Sequence, residues 1–266
     1  MSLATEKLNR RIEAVNSLAC VGLDAELEKL PKNFQTMEFP QFGFNKVIID
    51  QTAEFVCAFK PNAAFYEARG EQGWHELKMT IDYINKKYPD IFTILDAKRA
   101  DIGNTNNGYV KAIFDELNFD AITLHPYLGQ EALKPFLDRS DKVSIILCRT
   151  SNSGAGEFQD LKISTKKLWE VVAKKVSQDW NENNNCMLVV GATYPKEMKT
   201  IRKIAKDMTF LVPGVGAQGG DVEATVKAGI NSEKKGLIIS SSRGIIFAAD
   251  PAEEAKKLRD EINQYR

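Results

Sequence analysis

The chain has 266 residues, 43% of them apolar, and its 36 basic and 36 acidic side chains cancel to zero net charge. That length fits one large α/β domain or two small ones, and the charge balance argues against a broad surface for nucleic acid or anionic membrane. No apolar run approaches the ~18 residues of a membrane span, and the N-terminal MSLATEKLNRRIEAV lacks a signal-peptide core, reading as a polar amphipathic helix.

After that helix, a strand is expected at 18–24 (LACVGLD) and a helix over 43–56. The pattern then repeats: strand 57–62, helix 73–88, strand 92–98, helix 105–117, strand 121–126, helix 129–138. The second half continues with strand 143–150, helix 162–181, strand 187–193, helix 195–206, strand 209–216, helix 219–229, strand 236–243 and helix 251–264. Most of the strands are apolar on both faces, as strands covered on both sides must be. Eight strands alternating with eight helices predict a (β/α)8 TIM barrel in a single domain spanning 1–266, with an open doubly wound sheet as the rival. The polar NENNN at 181–185 reads as a loop before strand six. Cys20, Cys57, Cys148 and Cys186 lie far apart with no CxxC pair, which fits a reduced, cytoplasmic compartment.

Polar residues gather where the strands end. Asp24, Lys60, Asp96 with Lys98, His125, Arg149 to Asn152, Gly214 to Gly220 and Arg243 all fall at or just past a predicted C-terminal strand end. In a barrel those ends converge on one face, where active sites are built. The densest run is Leu-Asp-Ala-Lys-Arg-Ala-Asp over 95–101. Strand alternation sends Asp96 and Lys98 the same way, with Cα atoms roughly 6.6 Å apart, and Asp101 lies just beyond. Two carboxylates flanking an ammonium at the end of a buried strand are costly to assemble without a task, although a structural ion-pair network is the plain alternative. Asp24, Lys60, Asp96, Lys98 and Asp101 together carry one net negative charge. Nearby carboxylates keep each lysine protonated, a proton donor rather than a Schiff-base nucleophile.

Gly214-x-Gly216-x-x-Gly219 matches a dinucleotide fingerprint formally, but the next predicted strand ends in Ser240-Ser241-Ser242-Arg243-Gly244 rather than in an acidic residue. A phosphate cradle made by the loops after strands seven and eight fits better, with glycine backbone amides and the Arg243 fork facing the anion; an NADP site is the remote alternative. The two histidines, His75 and His125, form no cluster with thiols. His75 is expected in a helix start, and His125 reads as hydrogen-bonded structure or site lining. A magnesium site on Asp96 and other carboxylates stays open by residue type, and no G-x-S-x-G supplies a hydrolase nucleophile.

The motif Asp96-x-Lys98-x-x-Asp101-Ile102-x-x-Thr105, taken with Pro213-Gly-Val-Gly-Ala-Gln218-Gly-Gly, closely resembles the orotidine 5′-phosphate decarboxylase family. The similarity runs from Val-Gly-Leu-Asp24 to Ser-Arg243-Gly244, and Phe-Lys60-Pro-Asn-Ala-Ala-Phe-Tyr resembles the longer bacterial and protozoan subgroup. Ser153 stands where the family usually carries proline.

The resemblance implies cofactor-free decarboxylation of orotidine 5′-phosphate to UMP, with no metal. It implies that Lys98 protonates C6, that Asp96 sits against the departing carboxylate, and that Lys60 completes the charged chain and with Asp24 holds the ribose. By the same resemblance Ser151 reads the pyrimidine edge, and Gln218, Arg243 and Gly244 bind the phosphate. It implies a homodimer in which Asp101 and Thr105 reach the partner's site. A Mg-dependent 3-keto-gulonate-phosphate-type decarboxylase and a non-catalytic phosphoribosyl-ligand binding protein are the alternatives.

Overall fold

In the computed structural model, which describes residues 2–216 and 219–266, eight parallel strands close on themselves. They are β1 (Ala19–Gly22), β2 (Ala58–Lys60), β3 (Phe92–Arg99), β4 (Ala121–Leu124), β5 (Val143–Arg149), β8 (Cys186–Val190), β9 (Phe210–Pro213) and β10 (Leu237–Ser241). A small antiparallel hairpin, β6 (Lys162–Ile163) with β7 (Lys166–Lys167), stands outside the barrel. The barrel order is β1-β10-β9-β8-β5-β4-β3-β2, so the first and last barrel strands pair and leave no edge. This is the predicted (β/α)8 architecture.

The barrel strands are buried along nearly their whole length. Every residue of β1, β2, β4 and β8 is buried, and the helices cover the outer face. The 70–87 helix shows why: Leu77, Ile81 and Ile84 recur one turn apart and form a single buried stripe. Asp250 caps the 251–264 helix by accepting from the Glu253 amide at 3.0 Å, and Pro251 opens it where a missing N–H costs nothing. The first helix, α1 (Leu3–Val15), lies across the opposite end of the barrel from the polar strand ends. Its Ala4 amide donates to Asp141 O, Lys7 pairs with Asp120, and Arg11 binds Val56 O, Ala53 O and Asp90. Each of those acceptors lies just before β2, β3, β4 or β5.

Several boundaries differ from expectation. The strands stop earlier, so Asp24, Asn62 and His125 sit in the loops just beyond them, and Arg243 opens a short helix after β10. The expected helix over 162–181 begins only at Leu168; before it Ser164-Thr165 turns the β6–β7 hairpin, with Ser164 left-handed at φ 58°. β-Branched and hydroxylated residues favour that turn over a helical start. The helix expected at 43 starts at Pro40, which supplies its first turn, and the one expected at 219 starts at Val222 because Asp221 caps it. His75 lies mid-helix rather than at a start, exposed and tilted against the Phe39 ring.

Candidate active site

Parallel pairing aligns the strand ends and places the charged residues beside one another. In the barrel Gly22 is level with Lys60, which puts Asp24 and Lys60 at one rim. Asp24 and Lys60 come within 3.9 Å, Lys60 Nζ lies 3.1 Å from Asp96 Oδ2, and Lys98 Nζ lies 2.7 Å from Asp96 Oδ1. The result is one alternating chain of carboxylate and ammonium, Asp24–Lys60–Asp96–Lys98. Gly22 makes room for it: a Cβ there would collide with the Ser242 hydroxyl and come within 2.8 Å of the Asp24 carboxylate.

Both carboxylates are held by other groups as well. Asp24 accepts from the Asn62 amide at 2.9 Å and from the Ser242 hydroxyl at 2.6 Å. Asp96 accepts from the Thr123 hydroxyl at 2.8 Å. Lys60 is 4% exposed, whereas the Lys98 side chain is 49% exposed. Burial opposes the charged form of Lys60, but Asp24 and Asp96 outweigh it and hold its pKa above the ordinary lysine value. Burial likewise opposes ionisation of Asp96, yet Lys60 and Lys98, with hydrogen bonds from Lys98 and Thr123, hold its pKa well below the ordinary carboxylate value. Cys20 lies beneath this chain, where burial pushes its thiol up to about 12 and leaves it inert.

The backbone at Lys98 departs from the alternation that predicted its direction. Its φ is 48°, left-handed, and the β3–β4 register shifts between Leu95 and Arg99. The lysine meets Asp96 as expected, but through this break rather than through a regular strand.

A cavity of about 570 Å³ opens above the chain. Asp24, Lys60, Asp96 and Lys98 line one side, Ser151 and Gln159 another, and Gly214 and Arg243 a third. The structure thus gathers residues from six loops or strand ends around one space, as the sequence predicts. Ser151 is pinned there: Thr193 Oγ1 donates to its carbonyl at 3.3 Å, and a Cβ at Gly191 would come within 2.7 Å of its backbone. Ser153, at the usual proline position, opens a 3-10 turn over 153–155, a place where a missing amide donor is tolerated.

Other expected members stand apart. Asp101 and Thr105 do not line this chain's cavity. The Asp101 backbone is instead fixed by the buried Asn106, whose side chain accepts from the Asp101 amide and donates to its carbonyl. The predicted cluster of five charges is therefore four within one chain, two of each sign. Gly244 follows Arg243 in a short helix and does not line the cavity, and Gln218 lies outside the described residues. His125 stays out of the lining too. Arg149 turns away from the cavity, stacks over the Tyr194 ring at 3.7 Å and pairs with Asp160. It holds the loop after β5 closed on itself, with Gln159 accepting from the Thr150 amide at 2.9 Å. Sequence reasoning passed over Asn62, Thr123, Gln159 and Ser242. Thr123 could have been found by alternation, lying two residues before His125, but Gln159 could not, because its partner Thr150 belongs to a loop of unforeseeable path. Among the described residues no three His, Cys, Asp or Glu side chains form a group able to hold a metal ion.

Comparison with known proteins gives a consistent answer. The family model described as orotidine 5′-phosphate decarboxylase / HUMPS matches residues 19–258. Orotidine 5′-phosphate decarboxylase of Cellvibrio japonicus is 48% identical over 270 aligned positions, covering 98% of each chain. The solved OMP decarboxylase of Leishmania donovani is 39% identical with a TM-score of 0.90, covering 100% of this chain and 99% of that one. The Leishmania donovani UMP synthase structure is 41% identical with a TM-score of 0.91, and the match takes up 56% of that longer chain.

Proposed function

The chain belongs to the orotidine 5′-phosphate decarboxylase / HUMPS family, and on that premise we propose that it converts orotidine 5′-phosphate to UMP and CO2, in pyrimidine biosynthesis, without a cofactor. The observation that carries this reading is the Asp24–Lys60–Asp96–Lys98 chain along one wall of the cavity. When the bond from C6 to the carboxylate breaks, its electron pair stays on C6 and the ring has no conventional electron sink. A fixed ammonium beside C6 stabilises that charge as it forms. Lys98 supplies the ammonium and then gives its proton to C6, taking another from solvent afterwards. Its half-exposed side chain suits that exchange with water.

Asp96 lies against the departing carboxylate and fixes both lysines at once, since its two oxygens face different ammonium groups. Lys60 and Asp24 hold the ribose, Ser151 reads the pyrimidine edge, and Arg243 with Gln218 and the Gly244 backbone binds the phosphate. Binding energy from that remote phosphate draws the loops over the ring, where it is most useful. Asp101 and Thr105 serve the site of a second subunit in a homodimer. Supporting this, the loops after β3 and β4 lie side by side and expose Ile102, which follows Asp101, and Tyr127, 61% and 88% accessible. A cytoplasmic setting goes with this reading; the four cysteines are free and buried, and no described helix is long and apolar enough to cross a membrane.

The test is loss of orotidylate absorbance with purified protein, with and without EDTA. Turnover that survives exhaustive chelation supports the reading. Turnover abolished by EDTA and restored by Mg²⁺ moves the protein to the sugar-phosphate decarboxylases, and binding without turnover leaves a ligand-binding protein.

A further inference from the structure

We infer that Thr123 is a positioning residue for the decarboxylation, its hydroxyl fixing the Asp96 carboxylate and the Lys98 backbone in one geometry. The inference deepens the reading above and rests on Lys98 as proton donor. Thr123 lies on β4, is 1% exposed and does not line the cavity, so it can act only through its neighbours. Its Oγ1 donates to Asp96 Oδ1 at 2.8 Å and accepts from the Lys98 amide at 3.0 Å. The same Asp96 oxygen accepts from Lys98 Nζ at 2.7 Å. A closed ring therefore runs from the Thr123 hydroxyl through the carboxylate to the ammonium, and back along the lysine to its own amide.

The reason for this ring lies in the strand. The β3–β4 register shifts between Leu95 and Arg99, and the Lys98 amide takes the Thr123 hydroxyl as its partner there. Lys98 also adopts φ 48°, a conformation that residues with a side chain rarely take without a local hydrogen bond to hold it. The other carboxylate oxygen, Asp96 Oδ2, faces Lys60 at 3.1 Å, so the hydroxyl completes the fixing of Asp96 at both ends. Removing the hydroxyl strips a partner from the Lys98 amide and a donor from Asp96 together. The ammonium then loses its aim while the substrate-binding surface stays intact.

Thr123→Val keeps the branched shape and deletes only the hydroxyl; should it melt early, Thr123→Ala makes the same deletion with less demand on packing. Because misplacement by about 1 Å costs on the order of a hundredfold, kcat should fall about 10–100-fold while KM and UMP affinity change less than about threefold. Thr123→Ser, which restores the hydroxyl, should return kcat to within about threefold of wild type. A second readout needs no turnover: acetic anhydride should acetylate Lys98 several-fold faster in Thr123→Val than in wild type or Thr123→Ser, measured by peptide mass spectrometry. An unchanged kcat or acetylation rate in Thr123→Val, or a Thr123→Ser enzyme as slow as the valine variant, overturns the assignment. Wild-type protein that leaves orotidine 5′-phosphate untouched overturns the decarboxylase reading instead, and the acetylation comparison still decides what Thr123 does.

Discussion

Replacing Lys60 with methionine keeps most of the side-chain volume and removes the one ammonium shared by Asp24 and Asp96. In the wild type Lys60 is 4% exposed and its ammonium lies 3.1 Å from Asp96 and 3.9 Å from Asp24. Breaking a buried pair by deleting one partner costs about 3–5 kcal/mol, because the charge left behind stays desolvated. For a domain of this size that corresponds to a fall of roughly 6–20 °C in melting temperature at pH 7. The pH dependence follows from the direction of each shift. Lys60 has a raised folded pKa, so its stabilising contribution is complete below the ordinary lysine pKa and is lost only in strong alkali. Asp96 has a depressed folded pKa, so its contribution is complete above the ordinary carboxylate pKa and is lost only in strong acid. Between pH 5 and 8 the wild type is therefore flat with respect to this pair. In Lys60→Met, Asp96 loses the cation that most favours its charged form and takes up a proton more readily. The variant's deficit should shrink as the pH is lowered from 7 to 5. Calorimetric melts of both proteins at these two pH values are the assay. A variant melting within about 2 °C of wild type at pH 7, or a deficit that grows in acid, would refute the account of Lys60 as a buried counter-ion.

Arg243→Ala should lower kcat/KM by about tenfold to a few hundredfold, the size of a lost charged hydrogen-bonded contact; a substrate lacking the 5′-phosphate should show little difference between the two proteins, and equal impairment on it would remove Arg243 as the phosphate anchor. Lys98→Ala should lose several orders of magnitude in turnover while retaining a folded UMP site, and activity within about tenfold of wild type would end its role as proton donor. Mixing Lys98→Ala with Asp101→Ala homodimers, each nearly inactive, should regain about half a wild-type dimer's activity in each hybrid, which has one intact and one doubly damaged site. Hybrids shown to form by light scattering that remain inactive would place Asp101 in its own chain's site.

The fold was legible because both of its signals are local. Apolar runs near 92–95, 121–124 and 143–148 mark buried strands, and stripes such as Leu77, Ile81 and Ile84 mark the covering helices. The charged chain was legible because strand ends in a barrel share one face, so Asp24, Lys60, Asp96 and Lys98 needed only their positions along the chain. What stayed hidden depends on contacts between distant segments. The left-handed turn at Lys98 answers to the Thr123 hydroxyl, 25 residues away. Arg149 looks like a site residue from its place at a strand end, yet it is spent on Asp160 and the Tyr194 ring. The hairpin at 162–167 was masked by the helical pattern that follows it, since two strand residues carry too little periodicity to register.

The placement of α1 bears on the order in which this protein matures during synthesis. It leaves the ribosome before every element it docks against, since its anchors lie at Ala53, Val56, Asp90, Asp120 and Asp141. Its trailing end binds still later residues: Glu13 pairs with Lys235, and the Asn16 carbonyl accepts from Asn263. At about 5–20 residues per second, the helix waits several seconds before half of its docking surface exists and longer for the remainder. Its apolar stripe, Ala4, Leu8 and Ile12, is uncovered throughout that interval. The nascent chain is therefore vulnerable along this helix, and a chaperone that shields residues 3–15 until Lys235 emerges would protect its apolar stripe.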